Sequence, residues 1–161
     1  MSHINNLLAD DAIELSGHAS TWREAMELAG GLLDKTGATT PEYTAAMVKR
    51  VEGSGPYIVL TPGFAFAHSR TSPAVKRTAM AWVRLDEPVE FGHHANDPVR
   101  FVVALAALDD TAHLSVTQEL GELLGHSRER LSEVTSVDEL RAVLTGKNPA
   151  KRRGFKLPFR R

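Results

Sequence analysis

The chain contains no cysteine. Disulfides, thiolate metal sites and a cysteine nucleophile are thereby excluded, and the absence agrees with a cytoplasmic protein. Long apolar runs are missing too, since nothing approaches the ~18 residues of a membrane span. The opening Met-Ser-His-Ile-Asn-Asn lacks the charged and then apolar sections of a signal peptide. A soluble, intracellular protein is expected. There is no internal repeat, no low-complexity segment and no long linker. At 161 residues and 42% hydrophobic, the chain can bury a core as one domain without covalent staples.

Acid is absent from one end. Residues 147–161 carry seven Lys/Arg and no Asp or Glu, while residues 1–146 carry 12 basic against 20 acidic groups, a balance of −8. The expected organisation is a domain over 1–146 followed by a basic tail over 147–161. Such a tail either stays solvated and folds back on its acidic body, or contacts nucleic acid or an anionic membrane, because Phe155, Leu157 and Phe159 alternate with basic residues. A body at −8 repels phosphates, so nucleic acid is not its main partner.

The body alternates helical and extended patterns. An extended stretch at residues 12–15 precedes Thr21-Trp-Arg-Glu24, a capping box that starts a helix with Trp22, Ala25, Met26, Ala29, Leu32 and Leu33 on one face. Gly37 ends that region. Thr40-Pro41-Glu42 opens a second helix with proline where its missing N–H costs nothing, and Tyr43, Ala46, Met47 and Val51 form its buried stripe. Gly53-Ser-Gly-Pro56 then breaks the chain. Extended segments follow at 57–60 with 64–67, at 78–85 and at 99–108, the last apolar enough for a central strand covered on both faces. Asp109-Asp110-Thr111 caps a helix over 112–124 with Val116, Leu120, Leu123 and Leu124 inward. Ser136-Val-Asp-Glu139 is a second capping box, and its helix stops near Thr145-Gly146. The predicted fold is a three-layer α/β domain, a mixed sheet with helices on both faces.

The chemistry concentrates in Thr61-Pro-Gly-Phe-Ala-Phe-Ala-His-Ser-Arg70. A turn dipeptide leads into a period-two stretch that ends on His68, where a ring can be held by packing and still be reached. His113 falls in the first turn of a predicted helix, where free N–H groups attract an anion and disfavour a charged ring. Two imidazoles, a helix start and an arginine suit a phosphate. The nucleophile must be neutral, with one ring nitrogen free and the other holding its proton against a fixed acceptor. Arg70, Arg50 and His113 are the available donors, and neither a metal nor another cofactor is required. His3, His18 and His126 sit in solvated contexts. His93 and His94 could bind metal with Asp97, but adjacent loop residues diverge and no HxH or HExxH spacing supports them.

Pro-Gly-x-Ala-x-x-His-x-Arg, with Gly-Pro-Tyr57 before it and Asn96-Asp-Pro-Val99 after it, resembles the enzyme IIA components of the bacterial sugar phosphotransferase system. Within the mannitol/fructose superfamily the chain is most similar to the ascorbate-type branch. The likeness runs from about residue 22 to 144 and includes Thr21-Trp-Arg-Glu-Ala25, residues 52–63, 85–91 and 109–113, and Thr135-Ser-Val-Asp-Glu139. It implies a phosphocarrier whose histidine, here His68, accepts a phosphoryl group from the carrier protein HPr and passes it to a cysteine of an enzyme IIB partner. The family's second histidine falls on His113. In the mannitol-type branch an arginine also lines the site, and Arg50 lies near that place, 18 residues ahead of His68. Association with a membrane permease complex would be peripheral at most. One departure is Ala67, where the family usually has proline, which fixes the approach to the ring and lacks an N–H. That departure and the tail keep a second class open, a regulatory interaction domain of the same fold. A third, a metal hydrolase using His68, His93, His94 and His113, requires stoichiometric bound metal. Deletion of the tail after Gly146 should leave phosphorylation by HPr intact; a large loss in the same assay would make the tail part of a docking surface.

Overall fold

A computed structural model describes residues 3–146; the basic tail lies outside the described residues. In chain order the elements are α1 (His3–Leu7), β1 (Leu8–Gly17), α2 (Trp22–Lys35), α3 (Pro41–Ser54), β2 (Val59–Thr61), β3 (Phe64–Ala67), β4 (Ala79–Val89), β5 (Val99–Ala106), α4 (Asp110–Ser132) and α5 (Val137–Leu144). The strands form one mixed sheet in the order β1-β4-β5-β3-β2. β1 runs parallel to β4 and β3 parallel to β5, while β4 with β5 and β2 with β3 are antiparallel. The sheet lies between α2 and α3 on one face and α1, α4 and α5 on the other, which is the three-layer arrangement the patterning predicts.

Side-chain size separates the two faces. Ala65, Ala67, Ala81, Ala104 and Ala106 turn toward α2 and α3. Phe64, Phe66, Trp82, Phe101, Val103 and Leu105 turn the other way, against Val116 and Leu120 of α4 and Leu140 of α5. Successive residues of a strand point to opposite faces, so alternating small and large residues gives one close-packed layer and one thick aromatic layer. Phe64 stacks on Phe101 at 5.0 Å and meets Trp82 edge-on at 5.6 Å. β5, at the middle of the strand order, is buried along nearly its whole length.

The helix starts follow the sequence signals with one shift. Thr21 Oγ1 accepts from Glu24 N–H at 3.2 Å, and Ser136 Oγ accepts from Glu139 N–H at 3.1 Å. The two carboxylates reach one residue beyond the cap, accepting from Ser20 N–H and Thr135 N–H, both at 2.8 Å. Other expectations need correction. α1 precedes the first strand, and β1 is far longer than residues 12–15 because it pairs along β4. Trp22 and Leu32 are only half-buried, and Ala46 is exposed while Val48 takes its place inside. Tyr57 lies in a turn rather than a strand. α4 continues to Ser132 across a break at Ser127, because Leu131 still finds the core.

α2 and α3 cross at Gly30. A Cβ there would stand 2.3 Å from Thr44 Oγ1 and 2.8 Å from Thr44 Cβ, whereas a Cβ at Gly31 meets nothing within 4 Å. Gly30→Ala should therefore destabilise by about 1–3 kcal/mol through overpacking, despite alanine's better helix propensity. Gly31→Ala should be neutral or stabilising by up to ~1 kcal/mol. Urea unfolding of both variants checks the pair, and equal effects would contradict the crossing point.

Candidate active site

β3 and β5 run side by side, with Phe64 opposite Phe101 and Ala67 opposite Ala104, so they end at the same edge of the sheet. His68 leaves β3 at that edge, and β5 passes through Ala107 and Leu108 into α4, with His113 in its first turn. The period of β3 carries through the histidine: Phe64 and Phe66 face α4, so position 68 faces it too. The His68 and His113 rings accordingly meet, 5.0 Å apart between centroids and tilted by 55°. Phe66 lies 5.0 Å from His68, and Tyr57 presents its edge at 6.5 Å. Arg50, His68, Arg70, Thr71, Asp109 and His113 are among the residues lining a cleft of about 200 Å³. A larger depression of about 670 Å³ sits between α1, α4 and the end of α5, around Glu119 and Leu144, away from both imidazoles.

The His68 ring is oriented by its own strand. Phe66 N–H donates to the Ile58 carbonyl at 2.8 Å on the edge-strand side, and the Phe66 carbonyl lies on that same side past the start of β2. His68 Nδ1 stands 3.2 Å from that carbonyl. A carbonyl only accepts, so Nδ1 carries the proton and Nε2 of the neutral ring keeps a free lone pair. Burial pushes the ring's pKa below its ordinary 6.5; the Phe66 carbonyl opposes this in part, and the nearby His113 and Arg50 add to the lowering. The arrangement is that of a neutral nucleophile.

The other sequence candidates divide. Arg50 on α3 and Arg70 after β3 both line the cleft, the guanidinium of Arg50 lying 5.8 Å from the centre of the Tyr57 ring. The helix start is less open to anions than the sequence implies. Asp109 accepts from Ala112 N–H at 2.8 Å, and Asp109 and Asp110 both line the cleft, so acidic residues share it with the two arginines. His93 and His94 lie before β5, at the opposite end of the sheet from His68. Asp97 accepts from the N–H groups of Phe91, Gly92 and His93, and His93 Nδ1 accepts from Ala95 and Asn96. Those side chains shape the loop, and among the described residues no group of three or more His, Cys, Asp or Glu could hold a metal ion. The exposed apolar rim that docking two proteins in turn calls for is present as Tyr57 at 41%, Leu108 at 49% and Leu114 at 57% exposure, residues that no motif singles out as docking groups. An aromatic straight after the Gly55-Pro56 break was the one available sign.

The chain matches the family described as phosphoenolpyruvate-dependent sugar phosphotransferase system, EIIA 2, over residues 6–147. It belongs to that family. The ascorbate-specific EIIA component of Escherichia coli K12 is 38% identical over 112 residues, which cover 70% of this chain and 73% of that one. The fold is shared with IIA of mannitol from Escherichia coli, solved in complex with phosphorylated IIB of mannitol, at 30% identity and a TM-score of 0.75, covering 88% of this chain and all of that one. The nitrogen regulatory protein IIA of Neisseria meningitidis is similar at 27% identity and a TM-score of 0.75, over 89% and 99% of the two chains. This EIIA is a phosphocarrier component of the sugar phosphotransferase system and a phosphotransferase by class.

Ala67 has a simple local account in this EIIA. The Gly63 carbonyl and the Phe66 N–H mark odd residues as facing β5 and even residues as facing β2. The Ala67 N–H, which a proline would lack, therefore points into the ladder with β5, where Ala67 pairs with Ala104. The pH behaviour of His68 tests the rest of the geometry. Because the charged ring is disfavoured, its ¹⁵N titration should have a midpoint below 6.5, and the neutral form should carry its proton on Nδ1. Phosphate uptake should then hold level as pH falls to that midpoint and decline only below it. A midpoint above 6.5, or a proton on Nε2, would contradict the site geometry.

Proposed function

We propose that this EIIA component takes a phosphoryl group from HPr onto Nε2 of His68 and passes it to the cysteine of an EIIB partner. The hydrogen bond between His68 Nδ1 and the Phe66 carbonyl carries the reading. As Nε2 attacks phosphorus, the bond to the donor breaks and the ring gains positive character. That charge is shared with Nδ1–H, which faces a carbonyl oxygen already in place, so the bond strengthens as transfer proceeds. His113, Arg50 and Arg70 supply donors to the phosphoryl oxygens and offset Asp109 and Asp110. In the second step the thiolate of EIIB attacks phosphorus, and the neutral imidazole leaves with Nδ1 still protonated.

Tyr57, Leu108 and Leu114 give both partners an apolar rim around the histidine. The mannitol IIA complex with phosphorylated IIB supports the acceptor half of this reading. Both exchanges take place in the cytoplasm, and contact with the membrane goes no further than docking on a permease complex. No helix among the described residues is long and apolar enough to cross a membrane. The similarity to a nitrogen regulatory IIA supports a second reading, in which the phosphorylation state controls a partner. Transfer to an EIIB cysteine separates the two.

With HPr charged by enzyme I, the wild type should take up acid-labile phosphate and His68→Ala none. Equal uptake by the two would remove His68 from its role. His113→Ala should still accept phosphate but pass it on more slowly, on the order of 100-fold for the loss of a transition-state donor. Unchanged onward transfer in that variant would exclude His113.

A further inference from the structure

Tyr43 is buried on α3, and its hydroxyl sits where a sheet hydrogen bond would otherwise form. β3 and β5 are parallel with Ala67 opposite Ala104, so the next rung of the ladder would run from Ser69 N–H to the Leu105 carbonyl. Instead Ser69 N–H donates to Tyr43 Oη at 3.0 Å, and Tyr43 O–H donates to the Leu105 carbonyl at 2.7 Å. The Ser69 carbonyl, 3.2 Å away, is a second acceptor for the same proton. Burial pushes the phenol's pKa up, against smaller opposing effects of the Ser69 backbone and Arg50, so the hydroxyl keeps the proton that it donates.

The two bridged groups matter by position. Ser69 directly follows His68, and Leu105 lies on the strand that leads through Asp109 to His113. The hydroxyl therefore joins the two chain segments that deliver the imidazoles and holds them one oxygen atom further apart than a direct rung would. His68 is thus tied on both sides, by its ring to Phe66 and by its following peptide to Tyr43.

We propose that Tyr43 is a positioning residue for phosphoryl transfer, a wedge whose hydroxyl spreads the ends of β3 and β5 so that a phosphoryl group fits between His68 and His113. The inference rests on His68 being the phosphoryl acceptor. Tyr43→Phe keeps the ring and deletes the wedge. Ser69 N–H and the Leu105 carbonyl can then bond directly, which draws His68 toward β5 and narrows the cleft while keeping each of these two groups partnered.

The test is Tyr43→Phe in the full chain with phosphorylated HPr. Its thermal midpoint should stay within a few degrees of wild type and its KM for phosphorylated HPr should hold, while kcat falls roughly tenfold to a hundredfold, as expected for a misplaced nucleophile. A scalar coupling across a Ser69 N–H to Leu105 carbonyl bond should appear in the variant and be missing in the wild type. Wild-type kcat in the variant, or a rate loss no larger than its loss of folded protein, would overturn the wedge. If the variant does not fold, the wild type alone decides: its slowly exchanging Tyr43 hydroxyl proton should show a nuclear Overhauser contact to the Ser69 amide, and a direct Ser69–Leu105 coupling would refute the proposal. A wild type that takes up no phosphate would sink the phosphocarrier role of His68, with these couplings still judging the wedge.

Discussion

An imidazole attacks phosphorus only through a nitrogen that carries no proton, and a neutral ring has one of these. In His68 the choice between the two nitrogens is made by the Phe66 carbonyl, 3.2 Å from Nδ1. That oxygen is available because β3 outruns its edge partner: Phe66 N–H still bonds to Ile58, while the carbonyl lies beyond the start of β2. The short edge strand is therefore more than a sheet boundary. It leaves one backbone acceptor uncovered, two residues before the histidine, and burial of the ring then keeps the proton count at one.

The same strand explains where the second imidazole must be. Small residues at 65 and 67 serve the α2/α3 layer, and large ones at 64 and 66 serve the α4 layer. Continuing that alternation by one residue aims His68 at the start of α4, and parallel pairing of β3 with β5 brings that start to the same edge. Packing and chemistry thus share one pattern. The cleft is lined by both signs of charge, Arg50 and Arg70 with Asp109 and Asp110. A doubly charged phosphoryl group would meet donors without a deep well to trap it, which suits a carrier that must give up what it receives.

Much of this was legible in the residues. Phe64-Ala-Phe-Ala-His68 announces both a strand and its exit, and Thr21, Asp109 and Ser136 each accept the capping bond their spacing implies. What was not legible depends on contacts between distant segments. Tyr43 reads as one more residue of a buried stripe, and only the fold shows its hydroxyl bridging to Leu105, 62 positions away. A buried phenol needs a polar partner, but the sequence does not say which. The acidic flank of the α4 start is visible as Asp109-Asp110, but the spacing implies only the cap that Asp109 makes, not two acids beside the imidazoles. β1 exceeded its local pattern because β4 supplied the partner for its charged, irregular stretch.

The most direct test is to phosphorylate the ¹⁵N-labelled protein with HPr and read long-range ¹H–¹⁵N and ³¹P couplings of the imidazoles. The phosphoryl group should sit on Nε2 of His68, with Nδ1 still bearing its proton. Phosphate on Nδ1, or on His113, would contradict the geometry from which the mechanism is built.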